Sequence, residues 1–400
     1  MNPKNVVDYD PYSHEAMKDP SLLYKAMRDK EGPHFVEKYN AWALARFEDV
    51  WEASMSHEKD VTFTEGQSPG QVLLGEPVFE AFSTMDAPEH RKWRSIVRKD
   101  YNPEGASLQK EGFREIVKET LGDLLVFDQF DIYSDYANKV FCINSGNQLG
   151  LPKKDSIYFR SLIDEMLHRE AGQQGMSSQR NQQAVSKLIK CLTEYVVKIR
   201  ANPKLASGHT KAYMDAEVDN RKLDDEELLF IMVNFLILGS ETTPMVCAGM
   251  LYYLAQNPKL KSQVMADHSL ISKLYSETCR FDQPTNMLCR VAINDFELHG
   301  AQIEKGQKLM YIYASANRDG AEFERPDEFD IFRTHKRDLT YGAGGHKCLG
   351  MHLATMGAEI LISELFSKIE DYELVEGESV RAYGEFLSGF MKVPIRVKLK

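Results

Sequence analysis

One cysteine stands in a glycine-rich stretch that leads into a helix-forming run, an arrangement that suits metal ligation. Residues 341–350 read Tyr-Gly-Ala-Gly-Gly-His-Lys-Cys-Leu-Gly, which places Cys348 among four glycines. Glycines let the backbone turn sharply and approach a flat ligand closely. A helix is predicted over 351–366, and its N-terminal N–H groups favour the thiolate form of Cys348. Such a thiolate can ligate haem iron and favour O–O bond cleavage.

A carboxylate and a hydroxyl lie side by side within a long helix that the sequence predicts over 224–257. Pro244 cannot donate a hydrogen bond to the carbonyl of Ser240, and its ring clashes with that turn, so we expect a kink. The opened turn presents Glu241 and Thr242 to a small ligand and ordered water, which suits proton transfer. The alternative is a kinked core helix whose Ser and Thr side chains bond to the main chain.

A third set of residues predicts an ion pair. Glu277 and Arg280 stand three apart on a predicted helix, a spacing that favours a charge-assisted hydrogen bond. Because such pairs are common on helices, this spacing alone does not indicate a function.

The composition is that of a folded, acidic protein. The 400 residues are 43% hydrophobic and 27% charged, with a net charge of −11 and six scattered cysteines. The negative charge disfavours binding to nucleic acid or an anionic membrane, and the cysteine spacing favours a reducing cytoplasm. The polar start, 1–20, is typical of neither a signal peptide nor a membrane anchor. We expect one domain, 1–400, of mainly α class with small β-sheets.

These three features, which follow one another in the chain as the segment 238–243, the ion pair and the cysteine loop, resemble motifs of the cytochrome P450 family. The cysteine loop is similar to the family's F-G-x-G-x-H-x-C-x-G, with Tyr341 in place of the usual Phe. Segment 238–243 resembles the oxygen-binding groove, A/G-G-x-D/E-T-T, and Glu277 with Arg280 resemble its E-x-x-R motif. The likeness covers nearly the whole chain. It implies a single-domain cytochrome P450 fold, a triangular helical prism around a buried haem b, with a β-richer N-terminal lobe and a helical lobe.

The resemblance also implies a role for each matching residue. Cys348 would be the axial iron ligand, Thr242 would act on bound oxygen, and Glu241 would feed protons through water. The structural ion-pair residues would be Glu277, Arg280 and Arg333. The other cofactor contacts would be His90, Arg94, Arg290 (at the start of a strand), His346, Tyr341, Gly342 and Gly350.

By the same resemblance, four segments supply the substrate contacts. These contacts would be Asn234, Ile237, Leu238, Thr285, Asn286, Met287, Phe386 and Leu387, together with Phe63, Val72, Leu73 and Leu74. Leu238 stands where a small residue is usual, and Thr285 and Asn286 are polar where apolar residues often stand. Asn234 either bonds to another helix or contacts a polar substrate. We therefore hypothesise a compact, partly polar substrate, such as a hydroxylated terpenoid, a methoxy-aromatic or a methylated sugar.

The implied activity is that of a haem-thiolate monooxygenase, which inserts one oxygen atom from O2 into a small organic substrate by hydroxylation or oxidative O-demethylation. Because the sequence carries no flavin, nicotinamide or iron–sulfur motif, electrons are expected from a separate ferredoxin or flavodoxin. A basic surface on an acidic protein would steer that donor. Its residues would be Arg91, Lys92, Lys336, Arg337 and Lys347, with Arg98 and Lys99 nearby.

Three other classes of protein fit parts of the pattern. A peroxide-using haem-thiolate enzyme often lacks the acid–threonine pair that Glu241 and Thr242 provide. A non-catalytic haem sensor or small-molecule carrier would need neither that pair nor a docking surface. A zinc site at His346 and Cys348 lacks further ligands at a workable spacing.

Overall fold

Helices dominate the computed structural model of the protein, which describes residues 8–56, 62–63 and 67–400, without the side chains of 62 and 63. A π-helical turn, Ile132–Asn138, leads directly into one of them. In chain order the helices are α1 (His14–Lys18), α2 (Ser21–Arg28), α3 (Phe47–Ser56), α4 (Pro69–Leu74), α5 (Glu89–Ser95), α6 (Arg98–Tyr101), α7 (Pro103–Leu108), α8 (Lys110–Leu124), α9 (Lys139–Leu149), α10 (Lys153–Leu167), α11 (Gln179–Ala201), α12 (Gly208–Asp215), α13 (Asp225–Leu238), α14 (Thr242–Ala255), α15 (Pro258–Ala266), α16 (Ile271–Phe281), α17 (Tyr313–Ala316) and α18 (Met351–Lys368).

Short strands form small sheets beside the helices. They are β1 (His34–Val36), β2 (Ala41–Leu44), β3 (Thr62–Phe63), β4 (Gln129–Asp131), β5 (Glu217–Val218), β6 (Arg221–Lys222), β7 (Leu288–Ala292), β8 (Phe296–Leu298), β9 (Ala301–Ile303), β10 (Lys308–Tyr311), β11 (Ile369–Leu374), β12 (Val380–Arg381), β13 (Phe390–Lys392) and β14 (Pro394–Leu399). The largest sheet has the order β1-β2-β10-β7-β3, and a second has the order β11-β14-β4. In this sheet β10 runs parallel to β2 and antiparallel to β7. Because β2 and β10 lie far apart in the sequence, the sheet joins distant parts of the chain.

The predicted long helix is two helices, α13 and α14, separated at 239–241. Asp224 and Glu227 form a capping box that starts α13, each side chain accepting from the other residue's backbone N–H. Pro244 stands in the first turn of α14, where its missing N–H needs no intrahelical partner. A proline that would kink one continuous helix therefore begins a second helix instead.

Helices α13 and α14 are apolar because they lie in the core. Among the residues that the structure describes, two helical stretches, Asp225–Ala255 and Gly344–Lys368, are long and apolar enough to cross a membrane by length and composition alone. Of the most apolar window in the first stretch, 61% is buried inside the protein, and a helix that is hydrophobic all round is typical of a core. Packing within the fold thus accounts for this hydrophobicity.

Close packing fixes α18, the helix that follows the cysteine loop. At Gly357 an added Cβ would lie 2.9 Å from a ring carbon of Phe113 and of Phe141, so α8 and α9 approach α18 closely there. The expectation of a mainly helical fold with small sheets is confirmed. The result is a rigid frame that holds α14 opposite the start of α18.

Candidate active site

A large internal cavity lies between α14 and the loop that leads into α18. Its empty space, including the part open to solvent, is about 1680 Å³. Thr242, Thr243 and Val246 line one side, and Cys348 and Leu349 line the other. The space suits a flat cofactor together with a substrate.

Cys348 faces this cavity from a tightly closed loop. Its N–H donates to the Tyr341 carbonyl at 2.9 Å. Gly344 adopts φ +70°, and a Cβ there would lie 2.4 Å from the Ser54 carbonyl oxygen, so the loop requires glycine. Cys348 has exposed surface, but that surface belongs to the cavity wall because protein surrounds the residue.

The surroundings of Cys348 suit a metal-bound thiolate. Burial raises the pKa of its thiol above the ordinary value, and the Gly350 N–H, Arg94 and Lys347 oppose this only in part, so the helix N-terminus alone does not produce the expected thiolate. A bound metal ion deprotonates a coordinating thiol outright. A sulfur that faces a cavity among cationic neighbours is therefore able to serve as an iron ligand.

Two arginines place unpaired positive charge on the cavity wall. Arg290, in the middle of β7 rather than at its start, is 5% exposed, and its guanidinium donates to the Cys289 carbonyl at 3.0 Å. Arg94 donates to the Lys347 carbonyl at 2.5 Å, and burial lowers its pKa against the opposing influence of Cys348. Neither forms an ion pair with a carboxylate among the described residues. Because buried charges require partners, the pair fits a cofactor that carries two carboxylates.

His346 lines the cavity, whereas His90 lies behind it. The two imidazole rings stack with centres 4.1 Å apart and an interplanar angle of 24°. His90 is 4% exposed and lies outside the residues that line the cavity, and its predicted cofactor contact stays a prediction. His90 thereby supports the wall without forming part of it.

Tyr341, Gly342 and Gly350 also line the cavity. The Tyr341 hydroxyl, which a phenylalanine would lack, donates to the Tyr275 hydroxyl at 3.0 Å and lies 3.1 Å from the Thr355 hydroxyl. Since these partners satisfy the buried oxygen, tyrosine is tolerated where the motif usually has Phe.

Glu241 and Thr242 both border the cavity at the start of α14. Glu241 is 2% exposed, and its Oε2 lies 2.5 Å from Nη1 of Arg160 in α10. The Tyr133 hydroxyl, in the π-helical turn, donates to Glu241 Oε1 at 3.3 Å. Arg160 also pairs with Asp164, whose side chain is 42% exposed. A guanidinium therefore links the buried carboxyl group to a carboxylate at the surface.

Arg160 also stabilises the break between α13 and α14. Its Nη1 donates to the carbonyl and hydroxyl oxygens of Ser240, each at 3.2 Å. That carbonyl is the one to which Pro244 cannot donate. A buried, unsatisfied carbonyl costs about 1–3 kcal/mol, so this contact offsets the loss.

The environment of Glu241 shifts its acidity. Burial raises its pKa; Arg160 opposes this, Asp164 adds to it, and hydrogen bonds from Arg160 and Tyr133 lower it. The net direction is upward because one shared guanidinium does not replace full hydration. A carboxyl group with a raised pKa beside a hydroxyl is able to hold and release a proton.

Comparison with known proteins decides the family. The family model described as Cytochrome P450 matches residues 174–399. The chain belongs to the cytochrome P450 family. A relative in Mycobacterium tuberculosis that is described as a cytochrome P450 is 29% identical over 397 residues, covering 98% of this chain and 97% of the relative. Cytochrome P450 109 of Bacillus spizizenii is 27% identical over 394 residues, covering 95% and 92%.

A solved structure extends this likeness to the fold. CYP108D1 from Novosphingobium aromaticivorans has a TM-score of 0.83 and 26% identity, covering 98% of this chain and 97% of that structure. The expectation of a cytochrome P450 fold is thereby confirmed. The chain is a cytochrome P450 monooxygenase that binds haem b.

The cavity residues fit this cofactor. Cys348 would ligate the iron, while Arg94 and Arg290 would pair with the two propionates. When bound, haem supplies the oxygen-activating iron, and a thiolate ligand pushes electron density toward it, which favours O–O cleavage. The protein contributes binding, orientation and proton supply.

Of the predicted substrate residues, eight lie outside the loop before His90, and six of these border the cavity of this cytochrome P450. Leu238 is 46% exposed, and its side chain occupies part of the cavity. Asn234 borders the cavity and has a protein partner as well, since its Nδ2 donates to Ser83 Oγ at 2.6 Å. The six are Asn234, Ile237, Leu238, Thr285, Phe386 and Leu387.

Two predicted substrate residues are wrong. Both polar atoms of the Asn286 side chain are hydrogen-bonded inside the protein. Its Oδ1 accepts from the Tyr24 hydroxyl at 2.7 Å, and its Nδ2 donates to the Glu385 carbonyl at 2.8 Å. Met287 is completely buried and packs in the core beneath the large sheet. In an extended segment neighbouring side chains point to opposite sides, so Thr285 faces the cavity and Asn286 faces away.

The loop residues expected before His90 contribute little to the wall. Val72 and Leu73 pack in that same core, and Leu74 is 36% exposed without bordering the cavity. The side chain of Phe63 lies outside the described residues. The polar residues Gln67 and Ser83 border the cavity instead.

The E-x-x-R residues meet away from the cavity. Arg280 Nε and Nη2 each lie 2.8 Å from a carboxylate oxygen of Glu277, and Arg333 Nε lies 3.3 Å from Glu277 Oε1. All three side chains are at most 6% exposed. None of them borders the cavity, which agrees with a structural role.

Sequence reasoning missed Arg160, Tyr133 and Asp164. One signal for Arg160 is present in the sequence of α10. Ser156, Arg160 and Ile163 share a helical face that is buried, and a charged residue in a buried stripe requires a partner. No comparable signal marks Tyr133, because its partner comes from a distant part of the chain.

Proposed function

We propose that this cytochrome P450 receives two electrons from a separate ferredoxin or flavodoxin and oxidises a compact, partly polar substrate. One O2, two electrons and two protons convert a substrate C–H bond into C–OH and release one water. If the oxidised carbon is a methyl group on an ether oxygen, the hydroxylated product is a hemiacetal, whose bond between that carbon and the ether oxygen breaks to give an alcohol and formaldehyde. This breakdown makes the overall reaction an oxidative O-demethylation.

The connection from Glu241 through Arg160 to Asp164 carries this proposal. Reduction of O2 needs protons delivered to the cavity, whereas a peroxide brings both its protons and its electrons. The buried Glu241 carboxyl and the 42%-exposed Asp164 share one guanidinium, which supports proton supply from the surface. We therefore favour O2 over peroxide as the oxidant.

Each residue of this connection has a separate part in the proposal. The Thr242 hydroxyl donates a proton inside the cavity, and the Glu241 carboxyl group restores it. Asp164 exchanges protons with water at the surface. Arg160 stays charged, since the neighbouring Glu241 and Asp164 carboxylates raise its pKa well above the ordinary value against the effect of burial. It therefore holds both carboxyl groups in place, and a proton reaches Glu241 when Arg160 gives one N–H proton to Glu241 as it takes another from Asp164, so that its charge is unchanged.

Polar side chains on the cavity wall support a partly polar substrate. Gln67, Ser83, Asn234 and Thr285 all border the cavity. Within the described ranges, the side chains of Gln67 and Thr285 make no protein hydrogen bond. Unused polar groups in a closed pocket favour a ligand that can bond to them.

The proposed electron-donor surface surrounds the cysteine loop. Lys336 and Lys347 are exposed, and neither forms an ion pair in the part of the chain that the structure describes. Lys92 pairs with Asp219 at 2.7 Å, and Arg337 pairs with Glu48 and Glu322. Local acidic partners thus reduce the contribution of Lys92 and Arg337. We expect Lys336 and Lys347 to dominate the attraction, with Arg91 beside them.

We also propose that residues 1–400 act as one domain in the cytoplasm. The large sheet pairs β2 with β10, so residues 41–44 and 308–311 cannot separate without breaking it. The relatives described above are bacterial proteins, which supports a soluble enzyme supplied by soluble electron carriers.

The first experiment adds small molecules to the purified ferric protein and follows the haem Soret band. The panel runs from apolar terpenes and fatty acids to methoxy-aromatics and methylated sugars. Ligands that shift the band are then tested for turnover, with either a ferredoxin and its reductase in air or peroxide alone. We expect oxygenated ligands and ferredoxin to succeed. A shift with apolar ligands alone would contradict the substrate class, and turnover with peroxide alone would contradict the electron source.

Docking is tested by replacing Lys336 and Lys347 together with Ala. Reduction by ferredoxin should slow and lose most of its dependence on salt. Lys398→Ala provides the control, because Lys398 is an exposed lysine already paired with Glu370. Equal reduction rates in the double variant and the control would remove these two lysines from the donor surface.

A further inference from the structure

The π-helical turn Ile132–Asn138 is an uncommon element with two tyrosines that point in different directions. π-Helical turns are rare and occur frequently at functional sites. The Tyr133 hydroxyl donates to Glu241, whereas the Tyr136 hydroxyl donates to the Leu361 carbonyl at 2.8 Å. The turn therefore joins the neighbourhood of Glu241 to the core around α18.

The π-helical geometry also sets the surroundings of the Tyr133 hydroxyl. Residues five apart lie about 140° apart around an α-helix, but the i→i+5 bonding of a π-helix brings them to the same side. Asn138 is five residues after Tyr133, and its amide lies beside the tyrosine hydroxyl without an aligned hydrogen bond. The two residues thus approach Glu241 together from one side.

We infer that Tyr133 is a positioning residue for Glu241. Its hydroxyl donates to Oε1, while Arg160 holds Oε2, so the two carboxylate oxygens have different partners. A carboxyl group held from both sides keeps one orientation toward Thr242. This inference rests on the proposed role of Glu241 in proton supply and adds the residue that orients it.

The charges near Glu241 predict the direction of the effect. Arg160 and Asp164 face it from α10, and Cys142 of α9 lies beside that pair. Burial raises the pKa of Tyr133 well above its ordinary value, so Tyr133 stays protonated and remains a donor. A hydrogen bond to the ionised carboxylate favours that form. Removing the hydroxyl should therefore raise the pKa of Glu241.

The test is Tyr133→Phe, with Tyr136→Phe as the matched control. Both variants remove one buried hydroxyl from the same turn, but only the first removes a contact to Glu241. Infrared spectra at a series of pH values, taken as differences from Glu241→Gln, follow the carboxyl group of Glu241 directly. In Tyr133→Phe this titration should move to higher pH. With O2 and ferredoxin, kcat should fall about tenfold, as expected for one lost hydrogen bond to a charged group, with KM nearly unchanged.

The outcomes separate this inference from the proposed function. If Glu241→Gln keeps full activity, the proposed proton supply is wrong. If Glu241→Gln is impaired but Tyr133→Phe titrates and turns over like the parent protein, only the role of Tyr133 is wrong. An equal effect of Tyr136→Phe would also overturn it. Should Tyr133→Phe not fold, incorporation of 3-fluorotyrosine at Tyr133, whose more acidic hydroxyl is a stronger donor, should move the Glu241 titration to lower pH, and an unchanged titration there would refute the inference.

Discussion

Arg280 and Arg160 are both almost fully buried, and each pairs with a buried glutamate, Glu277 or Glu241. Arg280 donates hydrogen bonds from Nε, Nη1 and Nη2 to Glu277 and to three backbone carbonyls. All of these acceptors lie inside the protein or in the loop 317–328. Arg160 instead divides its donors among Glu241, Ser240 and the half-exposed Asp164.

The difference between these two pairs lies in their access to water. The pair around Arg280 is closed to water, and each of its charged groups is hydrogen-bonded within the protein. These contacts hold α16 and the loop that follows it in a fixed arrangement. The pair around Arg160 extends from the cavity to solvent, and burial raises the pKa of its glutamate. Identical side chains therefore form a closed structural pair in one place and the proposed proton route in the other.

Arg280→Ala tests the closed pair and should have the largest effect. It leaves Glu277 buried without its main partner, and breaking a buried pair from one side costs about 3–5 kcal/mol. Urea denaturation of the haem-bound protein measures the loss. Arg325→Ala is the control, since Arg325 pairs with Glu328 at the same i,i+3 spacing but is 56% exposed. Similar losses in the two variants would contradict the distinction between buried and exposed pairs.

Glu241→Gln tests the open pair. The amide keeps the shape of the side chain but cannot exchange a proton, so kcat should fall by about 10²–10⁴-fold. Arg160 keeps Asp164 as a partner, and denaturation should therefore show a smaller loss of stability than Arg280→Ala. Turnover with ferredoxin and O2 gives the measurement. A variant that loses stability but not activity would assign Glu241 to the structural class.

These pairs also show which contacts a sequence reveals. Glu277 and Arg280 are three apart on one helix, and the cysteine loop is continuous, so local spacing predicts both. The contacts of Glu241 join α10, the π-helical turn and α14, and no spacing along the chain encodes that meeting. The same limit applies to the cavity wall, where Thr285 faces the cavity and the next residue, Asn286, faces away from it. Pro244 indicated an interruption, but only packing decides between a kink and two helices.

Stability as a function of pH distinguishes the two pairs in a further way. The unfolded Glu241 carboxyl ionises near its ordinary pKa of 4.5, and the folded one ionises at higher pH because its pKa is raised. Between these values the folded protein binds more protons, so this group lowers stability as the pH rises. Relative to Glu241→Gln, the parent protein should lose stability with rising pH above 4.5 in urea denaturation. A difference that stays constant would show that Glu241 is not perturbed.

Asp164→Asn should have the smallest effect and defines the outer end of the proton route. The change removes a half-exposed carboxylate whose charge raises the pKa of Glu241, so the titration of Glu241 should move to lower pH. Arg160 would then bind Glu241 without competition. We expect kcat to fall only severalfold, because surface water can take the place of the Asp164 carboxylate beside Arg160, and we expect little change in KM.

The control is Glu165→Gln, which alters the neighbouring exposed carboxylate that pairs with Arg180. It should change neither the titration of Glu241 nor turnover. If Asp164→Asn behaves like this control, protons enter the cavity by another path. The pair around Arg160 would then carry no protons from the surface, although it reaches the surface in the structure. If it instead slows turnover as strongly as Glu241→Gln, Asp164 is an obligatory member of the route, since water at the surface cannot replace it.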